Sequence, residues 1–427
     1  MFVDRAEELR VLEELYARGG AQLVVVYGRR RIGKTWLVKK FLEGKRGVYI
    51  YAMRQPLSVE VARLAEAVSA ALGRYVRPEW GAVFEALASA GRFVLAIDEF
   101  THWVEANSAA LSTLQWGWDE YLSNSEVFLV LLSSTVSLVE KAFSYGGGLY
   151  GRRSAQLKLG PLEPQYTGLF LPGYSPEDLA IAYAVSNGVP YYLSLFRADR
   201  PLEENIAFLF SKWGPLYEEA ENLLRYEVRE PHVYFNIVRA IEEGASTYSE
   251  IADRAKVKAA TLSKYLAVLE KLDVVKREVP LLSKARPVYR VVDLYIKFWI
   301  SSVYPQREWI ELGESPRVDL RKYMGQAYEE VVRRAIPHLA KVGRIPPVEK
   351  CGRYWEKGVE VDIVCLSGDR VVAIEVKWRD VDEGEALEIV RETKKKLGGR
   401  EGVYLVAARR GPRGGHVITA EDIFAPR

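Results

Sequence analysis

A chain of 427 residues is longer than one hydrophobic core usually organises, so roughly two to four domains are expected. Hydrophobic residues at 49% and charged residues at 27% exclude a largely disordered chain. The longest apolar runs, such as Val127 to Leu132, are too short to span a bilayer. The opening MFVDRAEELR has no charged-then-apolar leader, so a cytoplasmic protein with no membrane partner is expected. Cys351 and Cys365 are too few for a disulfide framework or a cysteine zinc site. His102, His232, His338 and His416 are scattered singly, which speaks against a metal cluster or a Ser-His-Asp triad. Few Asn, Gln and Met beside many Lys, Arg and Glu suggest a thermophile.

The net charge of +3 hides a gradient. Residues 1–231 sum to −3, 232–300 to +4, 301–319 to −2 and 320–427 to +4. An acidic front and basic rear fit a switch or motor ahead of a nucleic-acid-facing back.

Near-continuous apolar runs at Ala21 to Tyr27, Gly47 to Ala52, Arg92 to Asp98 and Val127 to Ser134 alternate with helical patterns. That rhythm predicts an α/β domain with a parallel sheet covered by helices on both faces. Between the first strand and the next helix lies GRRRIGKT, which matches G-x-x-x-x-G-K-(S/T). Gly28 and Gly33 let the amides of Gly28, Arg29, Arg30, Arg31, Ile32 and Gly33 turn toward phosphates, and the following helix adds its positive end. Lys34 supplies a point charge to the β- and γ-phosphates, and the Thr35 hydroxyl suits Mg²⁺. Asp98, at the end of the third strand, is placed to reach the metal, and Glu99 to polarise the attacking water. ATP and Mg²⁺ are the expected cofactors.

With these motifs in order, residues 1–230 resemble the archaeal ATPase family in the STAND-like branch of AAA+-type P-loop ATPases. FVDRAEEL (Phe2 to Leu9) is similar to that family's F-x-x-R-x-x-E-L box, which implies that Phe2 and Arg5 lie against the adenine. Ser133-Ser134-Thr135 resembles its sensor strand, with Ser134 reading the γ-phosphate. In LYGRRS the resemblance implies an arginine finger at Arg152, acting in cis or, in a homo-oligomer, in trans. GVPYYL resembles the lid motif, with Pro190 closing over the nucleotide.

Ser175 at a cap position and Pro176 in the first turn predict a helix, and the periodicity stays helical to about Tyr226, as in a lid bundle. Thr247 to Glu278 has a helix-turn-helix profile, with Ile251 and Ala255 on one buried face and Leu262, Leu266 and Leu269 on the next. Strands Val274 to Val279 and Pro287 to Val292 would make a wing. DNA is the expected partner, met by Lys258, Lys264, Lys284 and Arg286. Pro305 to Pro316 reads as a connector.

A helix from Arg321 to Ala335 opens the last segment, and Gly358 to Leu366 with Arg370 to Trp378 reads as a hairpin. Alternation places Glu375 and Lys377 on one strand face; Asp362 comes from the partner strand, and with the strands in register its carboxylate would lie near that of Glu375. Paired carboxylates make an oxygen-rich Mg²⁺ site, and a nearby Lys can orient water for attack on a phosphodiester. Glu329, on the preceding helix, could supply a further ligand. The pattern Glu…Asp…Glu-x-Lys resembles the PD-(D/E)XK nuclease superfamily, more closely the C-terminal domain often fused to this ATPase type. Val361 stands where the motif's name has Pro.

The expected order is therefore an α/β P-loop ATPase core (1–172), helical lid (173–231), winged helix-turn-helix (232–300), linker (301–319) and α/β restriction-endonuclease-like domain (320–427). The function expected is an ATPase gating a Mg²⁺-dependent nucleic-acid enzyme. The alternatives are a nucleotide switch that regulates or scaffolds with an inert tail, and a plain ATPase whose tail recruits a protein.

Overall fold

The computed structural model describes residues 3–228 and 230–424. The chain divides at Gly160/Pro161 into two compact units. Among the described residues no helix is long and apolar enough to cross a membrane.

In the first unit five strands, β1 (Gln22–Tyr27), β2 (Gly47–Tyr51), β3 (Phe93–Asp98), β4 (Val127–Ser133) and β5 (Ala155–Lys158), form a parallel sheet in the order β2-β3-β4-β1-β5. Every residue of β1, β3 and β4 is buried, because helices cover both faces and leave no polar side for alternation. At the sheet edge β2 does alternate, with Val48 and Ile50 inward and Tyr49 and Tyr51 outward. The two carboxyl ends that matter most, those of β1 and β3, are separated only by β4, so the loops leaving them converge above the sheet.

The second unit begins with the helices Pro176–Ser186, Pro190–Ser194, Leu202–Leu209 and Glu219–Glu227. Ser175 caps the first by accepting the Asp178 amide, as the Ser-Pro pair predicts. Three helices follow, Pro231–Glu242, Tyr248–Ala255 and Ala259–Lys271, then the antiparallel pair β6 (Val275–Glu278) and β7 (Val288–Val291). Thr247 and Glu250 form a capping box, and Lys256 ends that helix in the left-handed region at φ 56°. Leu262, Leu266 and Leu269 are buried, as their spacing requires.

The connector expectation needs correcting. Residues 299–311 are helical, with Val303 and Ile310 fully buried; Tyr217 donates to Glu311 at 2.8 Å, and Tyr304 packs on Phe235 and Trp299. Pro305 falls in the first turn of a short 3-10 segment, where its missing N–H costs nothing, so it did not break the path.

The last segment has helix Leu320–Lys341, then β8 (Lys350–Glu356), β9 (Val359–Ser367) and β10 (Arg370–Asp380), helix Glu383–Lys396, β11 (Gly402–Arg410), β12 (Val417–Thr419) and helix Ala420–Phe424. The sheet is mixed, in the order β12-β11-β10-β9-β8, antiparallel from β8 to β10 and parallel from there on. The expected hairpin is β9–β10; β8 and β12 escaped detection, the first because its residues are only half-buried and show no clear alternation. Cys351 and Cys365 are directly paired in the β8–β9 register and form a disulfide. A cysteine count excludes a framework but not one cross-strand bridge.

Inside this unit the β6–β7 pair is fastened by charge. Arg290 on β7 pairs with Glu278 on β6 at 2.9 Å and with Glu330 of helix 320–341 at 2.6 Å. Arg334 binds the other oxygen of Glu330 at 3.1 Å and donates to the Val292 carbonyl at 2.7 Å. Burial alone would raise the Glu330 carboxyl, but Arg290, Arg334 and Arg333 overcome it and hold it at about 2.

Candidate functional site

The phosphate loop joins β1 to the helix Lys34–Leu42. Gly28 has φ 147°, and a Cβ there would lie 2.4 Å from the Leu159 carbonyl, so only glycine lets the loop leave β1. Gly33 at φ 100° caps the helix. Arg31, a non-glycine residue, is also held left-handed, at φ 68°. Such geometry is uncommon outside glycine and gathers where function demands it. Ile32 is buried beneath the loop, and Arg29 and Arg30 are half-buried in it.

The Lys34 ammonium is buried and donates to the carbonyls of Gly28 at 2.9 Å and Arg29 at 3.1 Å, which curls it back over the loop. Thr35 Oγ1 donates to Asp98 Oδ2 at 2.7 Å, so residues 63 apart in sequence meet at the ends of β1 and β3. Tyr49 donates to the same Asp98 oxygen. Burial, then the hydrogen bond to Asp98 and its charge, pushes the Tyr49 phenol up, keeping it a neutral donor. Glu99 is left-handed at φ 52°, and its Oε2 accepts from both the amide and the hydroxyl of Ser134 at 2.9 Å. The carboxylate is thus tied to the end of β4. Thr35, Asp98, Glu99 and Ser134, expected together, are brought together.

Other expected residues lie elsewhere. Phe2 is outside the described residues. Arg5 is buried, donating to the carbonyls of Ile32 at 3.2 Å and Gly160 at 2.5 Å, so it braces the underside of the phosphate loop rather than facing a base. Arg152 makes a bidentate pair with Asp119 of the helical turn Trp118–Leu122 at 2.6 and 2.7 Å, which occupies its guanidinium and departs from the finger expectation. Pro190 belongs to the second unit, at the first turn of its helix. Tyr49 was not foreseen: alternation in Gly47 to Tyr51 marks its face, but only the strand order puts it beside Asp98.

In the second unit Asp362 and Glu375 lie one step beyond Ile363–Ile374, the last register pair of β9 and β10, and their carboxyl groups interact. Asp362 Oδ2 accepts the Val376 amide at 2.8 Å. Burial and the neighbouring Glu375 raise the Asp362 carboxyl, partly offset by that amide. Glu375 is 4% exposed; its Oε1 takes Lys396 at 2.5 Å and its Oε2 takes Lys377 at 3.6 Å. Lys396, at the end of helix 383–396, was not among the expected site residues.

Glu329 does not join them. It pairs with Arg333 at 2.5 Å and Arg353 at 3.4 Å. Its helix packs Tyr328 against Trp378, and Trp378 points to the sheet face opposite Glu375. Glu330 is committed to Arg290 of β7 and to Arg334 of its own helix. Among the described residues no group of three or more His, Cys, Asp or Glu side chains is placed to hold a metal ion. The expected three-carboxylate set therefore reduces to a pair. Lys258, at the N-cap of helix 259–271, and Lys264, within it, are exposed, as are Lys284 and Arg286 on the β6–β7 loop. That loop is not free backbone: Leu281 donates to the Arg353 carbonyl at 2.7 Å and Ser283 to the Trp355 carbonyl at 2.8 Å on β8.

Residues 2–196 match the family described as an ATPase domain predominantly from Archaea. Residues 299–389 match DUF234, described as Archaea bacterial proteins of unknown function. The chain shares 20% identity and a TM-score of 0.54 with the Walker-type ATPase Paby2304 of Pyrococcus abyssi, covering 70% of this chain and 96% of that one, a likeness of fold. An ATP-binding protein of Methanocaldococcus jannaschii, MJ0423, is 56% identical over 46 residues, 11% of this chain and 78% of that one. A second protein of that organism, MJECL04, is 31% identical over 413 residues, 93% of this chain and 92% of its own. The chain belongs to the family of MJECL04, with an archaeal-type P-loop ATPase domain in front and a DUF234 domain behind.

Proposed function

We propose that the chain binds and hydrolyses ATP in its first unit and uses the nucleotide state to control a phosphodiester-directed site in its second. The observation that carries the first half is the 2.7 Å contact between Thr35 and Asp98 beside the glycine-bounded loop. Amides of residues 28–35 hold the phosphates, and Lys34 leaves the loop carbonyls for the β- and γ-oxygens. A hydroxyl and a carboxylate side by side are the hard oxygen donors Mg²⁺ takes, so Thr35 and Asp98 would hold it. Bound there, Mg²⁺ neutralises charge developing on the phosphates. Glu99 accepts a proton from the attacking water, and Ser134, holding the same carboxylate, reports the γ-phosphate to β4.

For the second half, the supporting feature is the Asp362–Glu375 pair with Lys377 beside it. Two adjacent carboxylates fit a divalent cation with open positions, and the cation would polarise a phosphodiester held by Lys377. The exposed cations Lys258, Lys264, Lys284 and Arg286 suit a DNA backbone. A binding-only tail is the second reading, favoured by the engagement of Glu329 with two arginines.

The test has two arms. Lys34→Ala should abolish ATP turnover and nucleotide heat in calorimetry. Mg²⁺-dependent DNA cleavage by the wild type should vanish in Asp362→Asn and in Glu375→Gln. Turnover surviving Lys34→Ala sinks the first half; DNA binding without cleavage under every nucleotide condition selects the binding-only tail.

A further inference from the structure

Glu375 is the most enclosed carboxylate of the second-unit pair, yet two ammonium groups reach it from different elements. Lys377 comes from its own strand and stops at 3.6 Å from Oε2. Lys396 comes from the last turn of helix 383–396 and closes to 2.5 Å on Oε1. Helix 383–396 is anchored on this sheet face by buried Thr393 and Leu397, which bracket Lys396, while Lys394 and Lys395 point to solvent. Three lysines at a helix carboxyl end suit the helix dipole, but that effect needs none of them turned inward. The inward one is explained by the carboxylates: a buried Glu375 beside a half-buried Asp362 needs a compensating positive charge.

We propose that Lys396 is the resident counter-ion of the Asp362–Glu375 pair and that a divalent cation binds by displacing its ammonium. The proposal rests on reading the pair as a cation site. Lys396 is a positioning residue: it holds Glu375 in place, and its long stem, 35% exposed, lets the ammonium swing out while the stem stays on the sheet. Once displaced, the ammonium joins Lys394 and Lys395 on the same turn, adding to the positive surface offered to a phosphate backbone. Cation binding and phosphate attraction are thereby linked through one side chain, since the charge that leaves the acids appears where the substrate approaches.

Competition has a definite sign. A purely structural lysine would leave the acids misplaced when removed, and cations would bind no better. A competing lysine, once removed, makes cation binding tighter. The measurement is isothermal titration of manganese(II) chloride into the nucleotide-free full chain, comparing the wild type with Lys396→Met, Lys396→Gln, Lys396→Arg and the double variant Asp362→Asn/Glu375→Gln. Circular dichroism melting confirms that each is folded. The double variant should lose the heat assigned to this site. Lys396→Met and Lys396→Gln should bind Mn²⁺ about three- to tenfold more tightly, and Lys396→Arg close to the wild type. Equal or weaker binding in both neutral variants, with the double variant silent, overturns the counter-ion role while leaving the cation site standing. Wild-type heat that survives Asp362→Asn/Glu375→Gln, or no heat in any variant, overturns the cation site and the counter-ion role together.

Discussion

Glu330 offers the sharpest thermodynamic test of how the second unit is held together. Its carboxylate is enclosed between Arg290 of β7 and Arg334 of its own helix. Glu330→Gln keeps the volume and removes the charge, leaving both guanidinium groups to face a neutral amide. A carboxyl at about 2 in the folded chain against 4.5 when unfolded corresponds to about 3 kcal/mol of stability at neutral pH. That agrees with the roughly 3–5 kcal/mol lost when one partner of a buried pair is removed. For a unit of this size the transition should fall by about 6–12 °C. Because the folded value lies below the unfolded one, the contribution is complete above about pH 4.5 and is lost as the pH falls toward 2. Differential scanning calorimetry of wild type and Glu330→Gln should therefore show a constant gap from pH 8 to 5 that narrows below. Glu392→Gln, which alters an exposed helix carboxylate, should move little. A gap under about 1 °C at pH 7, or one that widens on acidification, would refute the idea that this carboxylate clamps the β6–β7 pair.

Glu99→Gln should preserve nucleotide affinity within about threefold while lowering phosphate release by about a hundredfold or more, since the amide can still accept from Ser134 but cannot take a proton; unchanged turnover would remove Glu99 from the chemistry. Replacing Cys351 and Cys365 by serine should cost about 3 kcal/mol in urea unfolding, the value for freeing a loop of this length. Thiol titration of the unreduced native protein should find no reactive cysteine, and two titratable thiols would contradict the pairing.

Where local chemistry alone sets geometry, the residues sufficed. The phosphate loop demands glycine at 28 and 33 and a cation at 34, and period-two alternation put Glu375 and Lys377 on one face before any fold was known, with Asp362 near them only if the strands fell in register. The Ser175 cap, the buried leucine stripe of helix 259–271 and the β9–β10 hairpin follow from rules spanning a few residues. What escaped depends on which segments become neighbours. Strand order, not spacing, brings Tyr49 to Asp98 and Cys351 to Cys365. Glu329 follows the expected helix pattern, yet packing places that helix against the Trp378 face, and Arg333 of its own helix together with Arg353 of β8 captures the carboxylate. Arg5 and Arg152 likewise look available in the chain and are committed in the fold. A charged side chain is long and finds its partner by proximity, which local pattern cannot encode; backbone geometry and face alternation are set within a few residues. Composition and motif thus determined the ATPase site and the candidate carboxylate pair, while tertiary packing decided which charges remain available to act.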